Sequence, residues 1–284
     1  MKKFSELGVD TLILNAIQEM GYESPTPIQE QTIPVYLETQ RDILGLAQTG
    51  TGKTAAFGIP LIQLVEPQSR AVQALVICPT RELCLQISKD LYAYSKYKPG
   101  MNIVSVYGGS SIEKQISEIK RGAQIVVATP GRLMDLMGRN AVRINEVSYV
   151  VLDEADEMLN MGFEEDVEYI LSHTPEQKRV CLFSATMPRE IRNIANRYMN
   201  SPVEISVGKS NSGNANITHQ YATVHAKDKY AALKRYIDFN SDSIYAIIFC
   251  KTKNETQEIS DKLIKDGYNA DCLHGDLSQG QREK

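Results

Sequence analysis

The segment Ala47-Gln48-Thr49-Gly50-Thr51-Gly52-Lys53-Thr54 has the residue types of a phosphate cradle. Glycines 50 and 52 let the backbone wrap closely around an anion, with its N–H groups turned inward. A helix opening at Thr54 would add the partial positive charge of its first turn. Lys53 is then in reach of the β- and γ-phosphates of a nucleotide, and the Thr54 hydroxyl can ligate Mg²⁺. The general form of such loops, GxxxxGK[ST], begins with glycine; Ala47 stands there instead. A second group is Asp153-Glu154-Ala155-Asp156, directly behind the apolar run Val150-Val151-Leu152. Asp153 suits a magnesium ion held largely through water, and Glu154 can orient or deprotonate an attacking water. Read alone, this is an acidic helix N-terminus, which is common in itself. Paired with the upstream phosphate loop, it points to binding and hydrolysis of ATP with Mg²⁺.

Both groups need a scaffold that carries distant residues to one edge. Short runs rich in Val, Ile and Leu recur at 42–46, 74–78, 103–107, 125–128, 149–152 and 180–183. They are nearly unbroken, as in strands buried on both faces of a parallel sheet. Amphipathic segments at 81–96, 112–121, 164–173 and 189–199 alternate with them, and a helix is expected over 54–65. Strand, helix, strand in succession predicts an α/β layered domain with right-handed crossovers. The phosphate loop and the acidic group both follow strands, where such sheets place their ligands.

The pattern stops at Val207-Gly208-Lys209-Ser210-Asn211-Ser212-Gly213-Asn214, a small, polar run of linker composition. A new alternation then begins: strand 218–224, helix 227–239, strand 243–250, helix 252–265, strand 270–274. This predicts a domain over 1–207, a linker over 208–217 and part of a second domain over 218–284, short for its class. The tail beyond Ile217 is expected to be mobile or partly supported by packing on the first domain.

Composition narrows the function classes. The chain has 284 residues, of which 42% are hydrophobic and 23% charged, an ordinary globular balance. No run is long and apolar enough for a membrane span, and the start Met1-Lys2-Lys3-Phe4-Ser5-Glu6 lacks the form of a signal peptide. The expected compartment is the cytoplasm. Cys78, Cys84, Cys181, Cys250 and Cys272 form no CxxC pair, and the four histidines have no metal-ligand spacing. They are read as ordinary side chains. The formal net charge of −4 counts against a nucleic-acid partner. A local site of backbone amides and a few arginines can still hold a strand.

The letters at Asp153–Asp156, D-E-A-D, make the chain resemble the DEAD-box RNA helicases along essentially its whole length. Phe4 and Gly21-Tyr22-Glu23-Ser24-Pro25-Thr26-Pro27-Ile28-Gln29 resemble the family's adenine-reading Q motif. By that likeness Gln29 selects ATP and Phe4 stacks on the base; read without it, Thr26 caps a helix that starts at Pro27. Pro79-Thr80-Arg81-Glu82-Leu83, Gly108-Gly109 and Thr129-Pro130-Gly131-Arg132 look like motifs Ia, GG and Ib. In the family these grip the sugar-phosphate backbone of RNA, and each follows a predicted strand. Taken singly, each is a strand-to-helix turn. Ser184-Ala185-Thr186 resembles motif III, whose hydroxyls couple the ATP state to strand separation; its structural reading is a helix cap.

Past the linker, Ile247-Ile248-Phe249-Cys250-Lys251-Thr252-Lys253 looks like motif IV, and Gln279 and Arg282 stand at the QxxR positions of the stretch that follows. Motifs V and VI, with the arginine fingers, are not among these residues. The resemblance therefore implies two RecA-like domains, the second one partial, and an RNA-stimulated ATPase that separates RNA duplexes locally. It also implies that the 284 residues bind ATP–Mg²⁺, hydrolyse it slowly and do not unwind RNA. Cys84 replaces a smaller residue in motif Ia. Two other readings share the site residues: a DNA translocase or other P-loop ATPase, and a non-enzymatic, ATP-gated RNA clamp.

Overall fold

The computed structural model describes residues 2–208, 217–240 and 244–282. The chain forms two compact units, 1–213 and 214–284. The expected linker, apart from Gly208 and Ile217 at its ends, lies outside the described residues.

In the first unit α1 (Thr11–Glu19) and α2 (Pro27–Glu38) precede β1 (Ile43–Leu46) and α3 (Lys53–Leu64). Then come β2 (Ala74–Ile77), α4 (Arg81–Tyr94), β3 (Ile103–Val106), α5 (Ile112–Lys120), β4 (Ile125–Ala128) and α6 (Pro130–Gly138). The unit continues with β5 (Tyr149–Leu152), α7 (Ala155–Asn160), α8 (Glu164–Ser172), β6 (Arg179–Ser184), α9 (Arg189–Tyr198) and β7 (Val203–Ser206). The strands make one parallel, seven-stranded sheet in the order β3-β4-β2-β5-β6-β1-β7.

The apolar runs behave as their composition requires. In β2, Ala74 and Val76 join one core layer with Phe57, Ile59 and Leu91. Leu75 and Ile77 join the opposite layer with Leu133, Ile170 and Leu182. The period of two thus feeds two cores, one on each face, so unbroken apolar strands bury both sets of side chains. β7 was not foreseen. It starts after Pro202 and carries Glu204 and Ser206 outward, so this edge strand lacks the apolar run that marks the others.

Two polar devices hold the frame. Buried Arg179 donates to the carbonyls of Arg41 (2.7 Å) and Val35 (2.9 Å), and its guanidinium lies 4.3 Å from the Tyr36 ring centroid. It thereby satisfies the carboxyl end of α2, the helix whose first turn carries Gln29. At the free edge of β3, the Tyr92 hydroxyl donates to the Ile103 carbonyl (2.8 Å) and accepts from the Ile103 N–H (3.2 Å). Ile103 therefore offers a passing strand fewer open backbone groups.

The second unit contains α10 (Lys229–Phe239), α11 (Lys253–Lys265) and the short α12 (Gln279–Arg282). The strands expected at 218–224, 243–250 and 270–274 do not form among its described residues. These runs have strand composition, but a strand exists only when a neighbour completes its hydrogen-bond ladder. Tyr221, Tyr245 and Phe249 stand almost fully exposed. All five cysteines are free, and no helix of the described residues is long and apolar enough to cross a membrane.

Candidate functional site

The loop 47–54 runs from β1 into α3. Gly50 and Gly52 both take left-handed backbone, with φ of +76° and +90°. Gly52 is the tighter case: a Cβ there would sit 2.3 Å from Gln29 Nε2 and 3.2 Å from the Thr26 hydroxyl. Only glycine allows both the dihedral and the contact. Gln29 uses that space. Its Nε2 donates to the Gly52 carbonyl (3.0 Å), and its Oε1 accepts from the Thr26 N–H (2.9 Å). Thr26 occupies the N-cap of α2, and its buried hydroxyl has no hydrogen-bond partner. The Ala47 N–H donates to the Ser184 carbonyl (3.0 Å), and the Thr51 hydroxyl donates to the Gln48 carbonyl (2.7 Å). Lys53, only 6% exposed, donates from Nζ to the Ala47 carbonyl (3.1 Å). Gln48 and Thr49 are exposed.

The acidic group leaves the end of β5. Asp153 is buried and accepts from the Glu154 N–H (3.0 Å). Burial pushes its carboxyl up to about 6; the Lys53 charge opposes that, while Glu154 and Asp156 add to it. Glu154 adopts φ 50° and ψ 49°, left-handed backbone that costs a non-glycine residue about 1–2 kcal/mol. That turn starts α7 and leaves the Glu154 carboxylate half-buried. Asp156 accepts from both the N–H (2.9 Å) and the hydroxyl (2.8 Å) of Thr186. Burial would raise Asp156, but hydrogen bonds from Thr186, Ser184 and the adjacent amides outweigh it and hold the carboxyl below its ordinary value. The Ser184 hydroxyl donates to the Thr186 carbonyl (2.6 Å).

Thr49, Gly50, Gly52, Lys53, Thr54, Asp153 and Glu154 line one cavity of about 400 Å³. Tyr22, Leu83, Gln86, Asp90 and Tyr94 complete its wall. Tyr22 and Leu83 fall within the segments likened to the Q motif and motif Ia, whereas Gln86, Asp90 and Tyr94 were not singled out from the sequence. Leu83, Gln86, Asp90 and Tyr94 lie on one stripe of α4, a signal easily taken for an ordinary core face. Phe4 does not line this cavity. It is buried, packs on Tyr22 with ring centroids 6.0 Å apart, and lines a neighbouring cavity of about 450 Å³. Tyr22 is common to both cavities.

The other candidate residues emerge from β3, β4 and β2, which are neighbours in the sheet. Pro79, Thr80 and Arg81 lead into α4, where the Thr80 hydroxyl caps the helix by accepting from the Leu83 N–H (3.2 Å). Gly108 and Gly109 are exposed, and Gly109 has φ +77°. The Arg81 guanidinium lies 5.1 Å from the Tyr107 ring centroid. Thr129 precedes α6, Pro130 is its first residue and Gly131 is exposed. Arg132 donates from Nη1 to the Ser110 carbonyl (3.1 Å) and to Gln115 Oε1 (2.9 Å), tying α6 to the glycine turn.

The residues fit a polyphosphate with a hydrated divalent cation. The loop has no room for a side chain at Gly52, the Thr26 hydroxyl beside it lacks a partner, and a cation and a buried carboxylate face one cavity. Among the described residues no cluster of three or more His, Cys, Asp or Glu could enclose a metal ion. A cation here would need phosphate and water oxygens to complete its shell, which suits Mg²⁺.

Comparison with known proteins agrees with this geometry. The family described as DEAD/DEAH box helicase matches residues 26–194, more than half of the chain. The chain belongs to that family. Helicase conserved C-terminal domain matches residues 228–284. Over 282 residues the chain is 47% identical to the DEAD-box ATP-dependent RNA helicase CshA of Geobacillus kaustophilus, covering 99% of this chain and 60% of that protein. Over 281 residues it is 46% identical to the ATP-dependent RNA helicase DeaD of Escherichia coli, covering 99% and 44%. Among solved structures it is similar to a DEAD box protein from the hyperthermophile Methanococcus jannaschii: 44% identity, TM-score 0.70, 99% of this chain and 75% of that one. It is also similar to S. cerevisiae Dbp5 bound to RNA and ADP BeF3: 28% identity, TM-score 0.86, 100% and 72%. The first unit has the RecA-like arrangement of these DEAD-box relatives. The chain spans 44% to 60% of the length of the curated relatives named here.

Proposed function

We propose that this chain is the ATP-binding part of a DEAD-box RNA helicase, with an N-terminal RecA-like domain over 1–207 and part of a second over 218–284. One observation carries the reading: Lys53, Thr54, Asp153 and Glu154, from two distant loops, line a single cavity at the carboxyl edge of the sheet. The curated relatives carry the name of that activity, and the Dbp5 structure contains RNA and an ADP species.

The chemistry follows from the residues. The backbone N–H groups of 50–54 bind phosphate oxygens. Lys53, which now donates to the Ala47 carbonyl, is redirected to phosphate and adds charge where it develops. The Thr54 hydroxyl and Asp153 would hold Mg²⁺, which when bound would neutralise phosphate charge. Glu154, fixed at the rim by its left-handed backbone, orients water and accepts its proton. Gln29 retains a second N–H and a second lone pair for the adenine edge. Phe4 and Tyr22 provide the aromatic surface for the base. Ser184, bonded to Thr186, and Thr186, bonded to Asp156, link the acidic loop to β6 and are suited to transmit the nucleotide state.

Single- or double-stranded RNA is held by Pro79, Thr80, Arg81, Gly108, Gly109, Thr129, Pro130, Gly131 and Arg132, through phosphate and 2′-OH contacts with little reading of base sequence. The cytoplasm is the compartment this reading implies. Calorimetric titration of the 284-residue chain with ATP and Mg²⁺, alongside a phosphate-release assay with and without RNA, tests it. The expected result is binding that Lys53→Ala weakens by about 100-fold or more, with slow hydrolysis that RNA barely stimulates. No binding to adenine nucleotide would sink the proposal, and strong RNA-stimulated turnover would refute the slow-hydrolysis part.

A further inference from the structure

One stripe of the cavity has no part in the chemistry above. Leu83, Gln86, Asp90 and Tyr94 follow at spacings of three and four along α4, so they share one face, and all line the cavity with Lys53 and Asp153. Asp90 is half-buried, and no hydrogen bond or ion pair to its carboxylate forms among the described residues. Burial pushes that carboxyl above its ordinary value, with Lys89 opposing. Its carboxylate is thus available to accept from a ligand in the cavity, and a hydrogen bond to a charged group is stronger than one between neutral groups.

The kind of donor is restricted. A carboxylate repels a triphosphate, so its partner is a neutral donor or a cation. The one cation this reading assigns to the cavity is placed at its phosphate end, with Thr54 and Asp153. Between the phosphates and the base of a nucleotide, the neutral donors are the sugar hydroxyls. Tyr22 lines both the phosphate-loop cavity and the cavity that holds Phe4. Its hydroxyl lies 3.1 Å from that of Tyr94, one helical turn beyond Asp90. Asp90 therefore stands on the wall that joins the phosphate end to the base end.

We infer, resting on the reading of this cavity as a nucleotide site, that Asp90 accepts hydrogen bonds from the ribose hydroxyls and makes the site prefer ribonucleoside over deoxyribonucleoside triphosphates. The test is calorimetric titration of the full chain with ATP, 2′-deoxy-ATP and 3′-deoxy-ATP, each with Mg²⁺. The unchanged protein is compared with Asp90→Ala, Asp90→Asn and Lys53→Ala. The unchanged protein should bind ATP about tenfold more tightly than at least one deoxy analogue, the worth of a hydrogen bond to a charged group. Asp90→Ala should lose that advantage and keep its affinity for the disfavoured analogue. Asp90→Asn, whose amide oxygen still accepts, should keep part of it. Lys53→Ala should weaken all three ligands alike. An unchanged preference in Asp90→Ala, or an equal loss for all three ligands in that variant, overturns the assignment and leaves the nucleotide site standing. Absence of any nucleotide binding by the unchanged protein removes both.

Discussion

The carboxyl edge of the sheet is divided between two kinds of surface. Around β5, β6 and β1 the polar groups are bonded to each other and Gln29, Lys53 and Ser184 are buried: Gln29 to Gly52, Lys53 to Ala47, Ala47 to Ser184 and, at the exposed rim, Thr186 to Asp156. Around β3, β4 and β2 the glycines at 108, 109 and 131 are exposed, and Arg132 ties α6 to the glycine turn through Ser110 and Gln115. The first arrangement suits a small, densely charged ligand that must be met at fixed distances and shielded from water. The second suits a long, flexible strand met by shape and charge at the surface. One sheet edge supports both because burial, rather than strand type, sets how firmly a loop is held.

If the two halves differ in this way, substitutions should separate them. The largest effect is expected from Lys53→Ala. ATP affinity should fall by about 100-fold or more, as for loss of a buried charged partner, while RNA affinity measured without nucleotide should stay within about twofold. A comparable loss of both would show that the halves are not separable. Next is Gly52→Ala, which forces a Cβ against Gln29 at unfavourable φ. It should lower stability by about 2–3 kcal/mol in urea unfolding. The same change at exposed Gly131, where a Cβ would meet nothing within 4 Å, should be almost neutral.

Asp153→Asn carries a pH signature. The folded-state value of about 6 lies above the ordinary 3.8, so the folded protein holds this proton more tightly than the unfolded chain. The stability Asp153 contributes is complete below about 4 and is lost as pH rises through 6. The asparagine variant, with no charge to bury, should therefore be more stable at pH 8 by about 1–3 kcal/mol. That gain should vanish towards pH 4, and the variant should lose Mg²⁺-dependent nucleotide binding. A pH-independent difference would mean that the burial of charge is not its cause.

On the other half of the edge, Arg132→Ala releases the glycine turn and should weaken RNA binding by about tenfold, with a shallower salt dependence and unaltered ATP affinity. The smallest effect is expected from Tyr92→Phe, which uncovers Ile103 at the sheet edge. Stability should fall by about 0.5–1 kcal/mol, and light scattering should show more self-association.

Much of the first unit was legible because its strands are short, apolar on both faces and separated by helices. The runs at 125–128 and 149–152 coincide with β4 and β5, and the others differ by a residue or two at their ends. β7 escaped because Glu204 and Ser206 alternate outward on an edge. The expected strands past Ile217 were read from composition alone, and composition cannot supply the neighbour whose N–H and C=O groups make a strand. Among the residues that line the cavity, Lys53, Thr54, Asp153 and Glu154 could be singled out in advance because their types and spacing suit phosphate and a cation. Asp90, Gln86 and Tyr94 were not, because on a helix that also packs into the core a polar residue gives no sign of what it faces.

The amino-acid sequence by itself determined the order of strands and helices, the glycines at 50 and 52, and the family to which the chain belongs, since these depend on local periodicity and on residue types at short spacing. Tertiary structure alone decided that Gln29 closes on Gly52, that Phe4 turns into the core beside Tyr22, and that burial lifts the Asp153 carboxyl. Each of those depends on side chains far apart in the chain being brought together and shielded from water, and local spacing along the backbone does not encode that.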